Sequence, residues 1–181
     1  MEVTTRQTKH ITRAASYANS DDFCRIFDEN MNSFYLLAFL LTGDHVWAEQ
    51  CFVSGLEDAV EGHPVFSEWA RSWGGRAIIQ NAVRFVKPRP GDASGSLKSN
   101  SEDNDYKALP AERQREISAV LGLEPFERMV YVMTVLEHYS DHECSLLMGC
   151  ARRDVLPVRT RALEKIGRQV EMQDRQLPIA G

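Results

Sequence analysis

Apolar residues recur at three- and four-residue spacing along most of this chain and nowhere alternate with the two-residue period of a strand, so the sequence predicts helices. Phe23, Ile26, Phe27, Met31, Phe34, Ala38 and Leu41 form the first series. Asp21 or Asp22 can cap its start, and Thr42-Gly43-Asp44 breaks it. A second helix is expected from about His45 to Glu61, burying Trp47, Phe52, Leu56 and Ala59, until Gly62-His63-Pro64 stops the chain. A third, capped by Ser67, runs through Trp69, Trp73, Ile78 and Val83 to a stop near Pro88, with Gly74 and Gly75 weakening its middle. Helical spacing makes Trp47, Trp69 and Trp73 core residues.

From Pro88 the pattern fades. The stretch PRPGDASGSLKSNSEDNDYKA is rich in Pro, Gly, Ser and charge and has almost nothing to bury, which predicts a flexible linker. A helix from about Glu112 to Leu121 follows it. The expected architecture is all-α: two small helical domains, 20–87 and 109–172, joined by a linker over 88–108. An N-terminal extension, 1–19, precedes them, and a tail, 173–181, frays after them.

The last segment is the most patterned. Phe126, Met129, Val130, Met133 and Leu136 make one apolar helix face. Ser140 then stands three residues before Glu143, the spacing of a capping box, so a new helix starts there; Leu146 and Leu147 supply its buried side and Gly149 ends it. In the next helix Val158, Ala162 and Ile166 share the buried side, while Arg161, Lys165 and Arg168 share the opposite face. Pro157 is tolerated in a first turn, where its missing N–H has no partner, so the helix either starts late with Asp154 at its cap or is kinked; the first arrangement is the expected one. Short helices, tight turns and a basic last segment describe a helix-turn-helix.

Charge sharpens this picture. The chain has 181 residues and a net charge of -5, yet Arg152, Arg153, Arg159, Arg161, Lys165 and Arg168 face only Asp154 and Glu164, a local +4. A localised basic patch on an acidic chain predicts nucleic-acid contact at this end. Residues 20 to 70 are the reverse, with ten acids against the single Arg25, a surface suited to a basic protein face. Basic residues return at Arg71, Arg76, Arg84, Lys87 and Arg89.

Other chemistry is sparse. Cys24, Cys51, Cys144 and Cys150 show no CxxC pairing and read as reduced, partly buried thiols. His138, His142, Cys144 and Cys150 lie within thirteen residues and have zinc-binding atom types, but no spacing fixes a ligand pair, so no metal site is expected. The chain has no GxSxG, HExxH or phosphate-binding glycine loop, so neither enzyme activity nor a cofactor is expected. No run reaches the roughly 20 apolar residues of a membrane helix, and MEVTTRQTKHITRAAS has no secretory apolar core, so a cytoplasmic protein is expected.

Two helical halves with a terminal helix-turn-helix resemble the extracytoplasmic-function sigma factors. The resemblance rests on Leu136-Glu137-His138-Tyr139-Ser140, Glu143, Leu147, Gly149, Val155 and Arg161-Ala162-Leu163, at the places of that family's region 4 pattern. Leu41-Thr42-Gly43-Asp44, Ala48-Glu49 and Phe66 to Trp69 are similar to region 2. The resemblance implies a transcription initiation factor whose C-terminal arginines and lysine meet promoter DNA. It places RNA polymerase core on Asp44, Glu49, Gln50, Val53 and Ser54, and promoter melting on Trp69, Arg71, Trp73, Arg76, Asn81 and Arg84. An anti-sigma or other regulatory protein is an open further partner. Gln50, Val53 and Ser54 depart from the family pattern, which leaves a second implication: a regulator on a sigma-like frame that has lost productive polymerase or promoter-melting contacts.

Overall fold

A computed structural model describes residues 16–90 and 110–174. Its described residues hold eight α-helices and no strand: α1 (Ser20–Glu29), α2 (Met31–Thr42), α3 (His45–Glu61), α4 (Ala70–Val86), α5 (Ala111–Leu121), α6 (Pro125–Tyr131), α7 (Asp141–Met148) and α8 (Arg152–Asp174). A 3-10 turn, Ser67–Trp69, leads into α4, and a π-helical turn, Val132–Leu136, follows α6. The all-α expectation holds. None of these helices is long and apolar enough to cross a membrane. Most of the expected linker and of the N-terminal extension, and the tail beyond Asp174, lie outside the described residues.

The first predicted helix is two. Asn30 interrupts it, with its side-chain amide donating to the Ile26 carbonyl at 2.7 Å while its own carbonyl starts α2 by accepting from Phe34 N–H. The cap of α1 is Asn19 rather than Asp21 or Asp22; Asp22 instead completes the capping box from the third position. The expected bounds of α3 hold, with Asp44 accepting from Trp47 N–H at 3.0 Å.

α2 explains the assembly. Phe34, Leu37, Ala38, Phe39, Leu40, Leu41 and Thr42 are all buried, which is apolar on nearly every side, and a helix of that kind needs neighbours all round. It has them: α3 and α4 on one side, α5, α6 and the π-turn on the other. The buried cluster therefore runs without a break from Phe23 to Val158, through both halves. Where Gly74 was expected only to weaken α4, it permits a close approach, since a Cβ there would lie 2.8 Å from the Phe27 ring.

Arg128 joins the halves. Its guanidinium, buried and without a carboxylate partner among the described residues, donates to the carbonyls of Thr42 (2.8 Å) and Leu41 (3.4 Å) at the end of α2 and of Leu121 (3.5 Å) at the end of α5. Helix C-termini present free carbonyls and partial negative charge, so an arginine can stand in for the missing turn of N–H donors. Desolvation lowers its pKa to about 10.

Several expected core positions differ. Trp69 is 58% exposed and Trp73 lies at the surface, where both line a cleft beside Phe34 and Leu37 of α2 instead of filling the core; Trp47, Phe52 and Leu56 are half-buried. Leu136 is also exposed, since the π-turn rotates the end of the predicted face away from the core.

Candidate nucleic-acid interface

The helix-turn-helix forms from local signals. Ser140 Oγ accepts from Glu143 N–H at 3.2 Å and the Glu143 carboxylate accepts from Ser140 N–H at 2.9 Å, completing the predicted box. The Ser140 hydroxyl also donates to that carboxylate at 2.6 Å, and this bond and the one from Ser140 N–H, with Arg76 and His142 nearby, hold the Glu143 carboxyl below the usual carboxylate range. Gly149, at φ 63°, ends α7 in the left-handed region that glycine enters without a Cβ penalty. Only Cys150 and Ala151 then separate it from α8.

The buried side of α7 is not the predicted one. Cys144, Ser145 and Met148 face the core, Leu147 is half-buried and Leu146 is 65% exposed. An eight-residue helix has only two turns, and its neighbours decide which leucine points inward. α8 also starts earlier than expected, at Arg152, so Asp154 is its third residue rather than its cap and Pro157 its sixth. The helix continues past Pro157 to Asp174.

Six cations were expected on DNA, and the structure divides them. Arg159 Nη1 meets Asp141 Oδ1 at 2.6 Å, tying the middle of α8 to the first turn of α7. Lys165 Nζ meets Glu127 Oε2 at 2.6 Å, and Arg161 Nε lies 3.6 Å from Glu127 Oε1. Glu127 is buried in α6, so it needs these cations as much as they need it. Arg161 and Lys165 therefore lie along the flank that meets α6, although the Arg161 side chain keeps 56% of its surface exposed. Val155, Val158 and Ala162 are buried between the two flanks and Ile166 is half-buried, as the spacing predicts.

What remains free is the outward arc. Arg152 and Arg153 are exposed at the leading end, and the Arg153 side chain keeps 90% of its surface open, with Asp154 3.9 Å away. Leu156 and Thr160 are exposed along the same arc, and Arg168, exposed further on, donates to the Glu164 carbonyl at 3.2 Å. Leu156 and Thr160 were missed by a search for charge alone. The signal that could have found them was their spacing, Leu156 one turn and Thr160 two turns after Arg152 and Arg153, opposite Val155 and Val158.

In the other half, Trp69, Arg71, Trp73 and Arg76 come together along a cleft of about 890 Å³, closed on its far side by Glu137 and His138 from the turn before α7. Arg71 Nε donates to Asn30 Oδ1 at 2.7 Å. Asn81 does not belong with them: it is fully buried, its amide donates to Asp58 Oδ2 at 2.8 Å and to the Ala77 carbonyl at 3.0 Å, and its oxygen accepts from Arg84. It fastens α4 to α3, and Arg84, 3.7 Å from Asp58, supports that joint.

Of the positions assigned to polymerase, Glu49, Gln50 and Val53 are exposed on one face of α3, where Val46 joins them; Ser54 is half-buried and Asp44 is the helix cap. Cys51 behind that face and Cys144 in α7 are buried, which pushes both thiols up to about 12, while Cys24 is exposed. Among the described residues no three His, Cys, Asp or Glu side chains gather as a metal site, and Cys144 lies in the core away from His138 and His142 at the surface. No protein-family model matches the chain, and no curated protein matches it.

Proposed function

We propose that this protein is a sigma-like transcription initiation factor that contacts promoter DNA through α7–α8 and recruits RNA polymerase core through its N-terminal half. The observation that carries the reading is the leading end of α8. Two exposed arginines follow a tight, capped turn, on a helix that Arg159, Arg161 and Lys165 fix to α7 and α6. A helix held rigidly on two neighbours and presenting its basic N-terminal end is what major-groove insertion requires. Trp69, Arg71, Trp73 and Arg76 supply aromatic faces and cations at a second site, the combination that stacks and neutralises unpaired strands. Such work places the protein in the cytoplasm, without enzymatic chemistry of its own.

A second reading has its own support. Three of the six cations already have acid partners on other helices, and α3 exposes Val46 and Val53 beside Glu49 and Gln50, a mixed surface suited to a protein. On that reading the protein is a regulator that binds a partner and has lost polymerase or promoter-melting contacts. One experiment separates the two: full-length chain is tested for duplex DNA binding at low salt and for association with purified core polymerase. The initiation-factor reading expects both, with DNA binding that weakens steeply as salt rises. Neither signal would leave the regulator.

A further inference from the structure

The outward arc of α8 carries an apolar residue where a purely electrostatic surface has no use for one. Leu156 is 52% exposed at the leading end of the helix. A single exposed leucine is ordinary; its setting is not. Helical spacing puts Arg152 and Arg153 one turn before it and Thr160 one turn after it. Thr160 Oγ1 donates to the Leu156 carbonyl at 3.0 Å, which commits the hydroxyl hydrogen, so that outward Thr160 offers its methyl and an oxygen that can only accept.

We propose that Leu156, with the Thr160 methyl beside it, is a base-reading contact that packs on the C5-methyl group of thymine in the major groove. Arg152 and Arg153 neutralise the flanking phosphates. The inference rests on α8 being the recognition helix. The surrounding charge selects the occupant, because two exposed arginines beside the leucine favour a polyanion over an apolar protein groove. The thymine methyl is in turn the apolar group that base edges display in the major groove, so an aliphatic side chain among arginines has one base to read there. Leu163 is also exposed, but it lies seven residues on, roughly 10 Å further along the axis and away from the end that reaches base edges.

The test uses full-length protein and duplexes selected by it from a randomised pool at low salt. Each thymine of a selected site is then replaced by uracil, which removes the methyl and nothing else. Wild-type protein should lose about fourfold in affinity at one or two of these positions, the loss expected for one methyl group returned to water. Leu156→Ala should bind thymine and uracil sites equally while keeping the wild-type salt dependence. Leu156→Met should retain discrimination, and Leu163→Ala should behave as wild type. Circular dichroism melting of each variant separates a lost contact from a lost fold. If no uracil position affects wild type, or if Leu156→Ala keeps the discrimination, the inference is overturned while DNA binding stands. If wild-type protein binds no duplex at low salt, the recognition-helix reading falls and takes this inference with it.

Discussion

α4 and α8 are both long helices with scattered arginines, and they place them differently. In α4, Arg84 supports the buried Asn81–Asp58 joint and Arg71 is held by Asn30, so cations serve the packing of the helix on its neighbours. In α8 the division falls within one helix, between its leading end and its middle. Arg159, Arg161 and Lys165 lock it onto α7 and α6, while Arg152 and Arg153 stay open at its end. Apart from Lys165 the residue type is the same throughout. What differs is whether an acid or amide on another helix lies within reach, and a cation so engaged is structural first.

Arg128 is the extreme of the engaged class, and its loss should have the largest effect. Arg128→Ala leaves carbonyls at the ends of α2 and α5 without their donor, and full-length protein should lose about 3 kcal/mol in urea unfolding. A cost below about 1 kcal/mol would mean that water replaces the guanidinium and that the halves are joined mainly by apolar contacts. Next comes Lys165→Ala. It leaves buried Glu127 with Arg161 alone, at 3.6 Å, and should cost about 2 kcal/mol, less than a fully buried broken pair because Lys165 is itself partly exposed.

Each half also contains a buried thiol, Cys51 in α3 and Cys144 in α7, which allows the halves to be compared by pH. Both thiols have pKa values raised from 9.0 to about 12 by burial. Between those values the unfolded chain has released protons that the folded chain retains, so stability is intact below pH 9 and falls as pH rises. The fall should reach about 1.4 kcal/mol per thiol by pH 10. Arg128, lowered from 12.5 to about 10, acts in the opposite sense above pH 10, because there the folded state is the one that has lost its proton. Cys51→Ala and Cys144→Ala should each flatten the slope between pH 9 and 10 by a similar amount. A flattening from one variant alone would show that only that thiol is sealed.

The smallest effect on stability belongs to the open class. Arg153→Ala should change unfolding free energy by less than about 0.5 kcal/mol, as exposed substitutions do. It should instead lower the magnitude of the salt slope of DNA binding by about 1 if the residue meets a phosphate. The reverse pattern, a stability loss with no change in salt slope, would erase the distinction between the two classes.

Local signals reached far in this chain. The bounds of α3, the Ser140–Glu143 box, the Gly149 stop and the inward series Val158, Ala162 and Ile166 were readable because each depends on residues within one or two turns. The break at Asn30 was not, since Phe23 to Leu41 keep helical spacing through it and nothing in the periodicity reports a single residue leaving the helix. The site was legible in composition and only half legible in geometry. Arg161 and Lys165 look as free in sequence as Arg152 and Arg153 do, because Glu127 lies more than thirty positions away.

Sequence by itself determined that the chain is helical, where α3, α5 and α7 begin and end, and that positive charge gathers at the C-terminal end. Only the tertiary structure decided which cations remain open, that Asn81 is a joint and Leu156 a surface, and that α2 is enclosed by both halves. Periodicity and capping act over a few residues, whereas desolvation and ion pairing depend on which distant carboxylate or carbonyl is brought within about 4 Å.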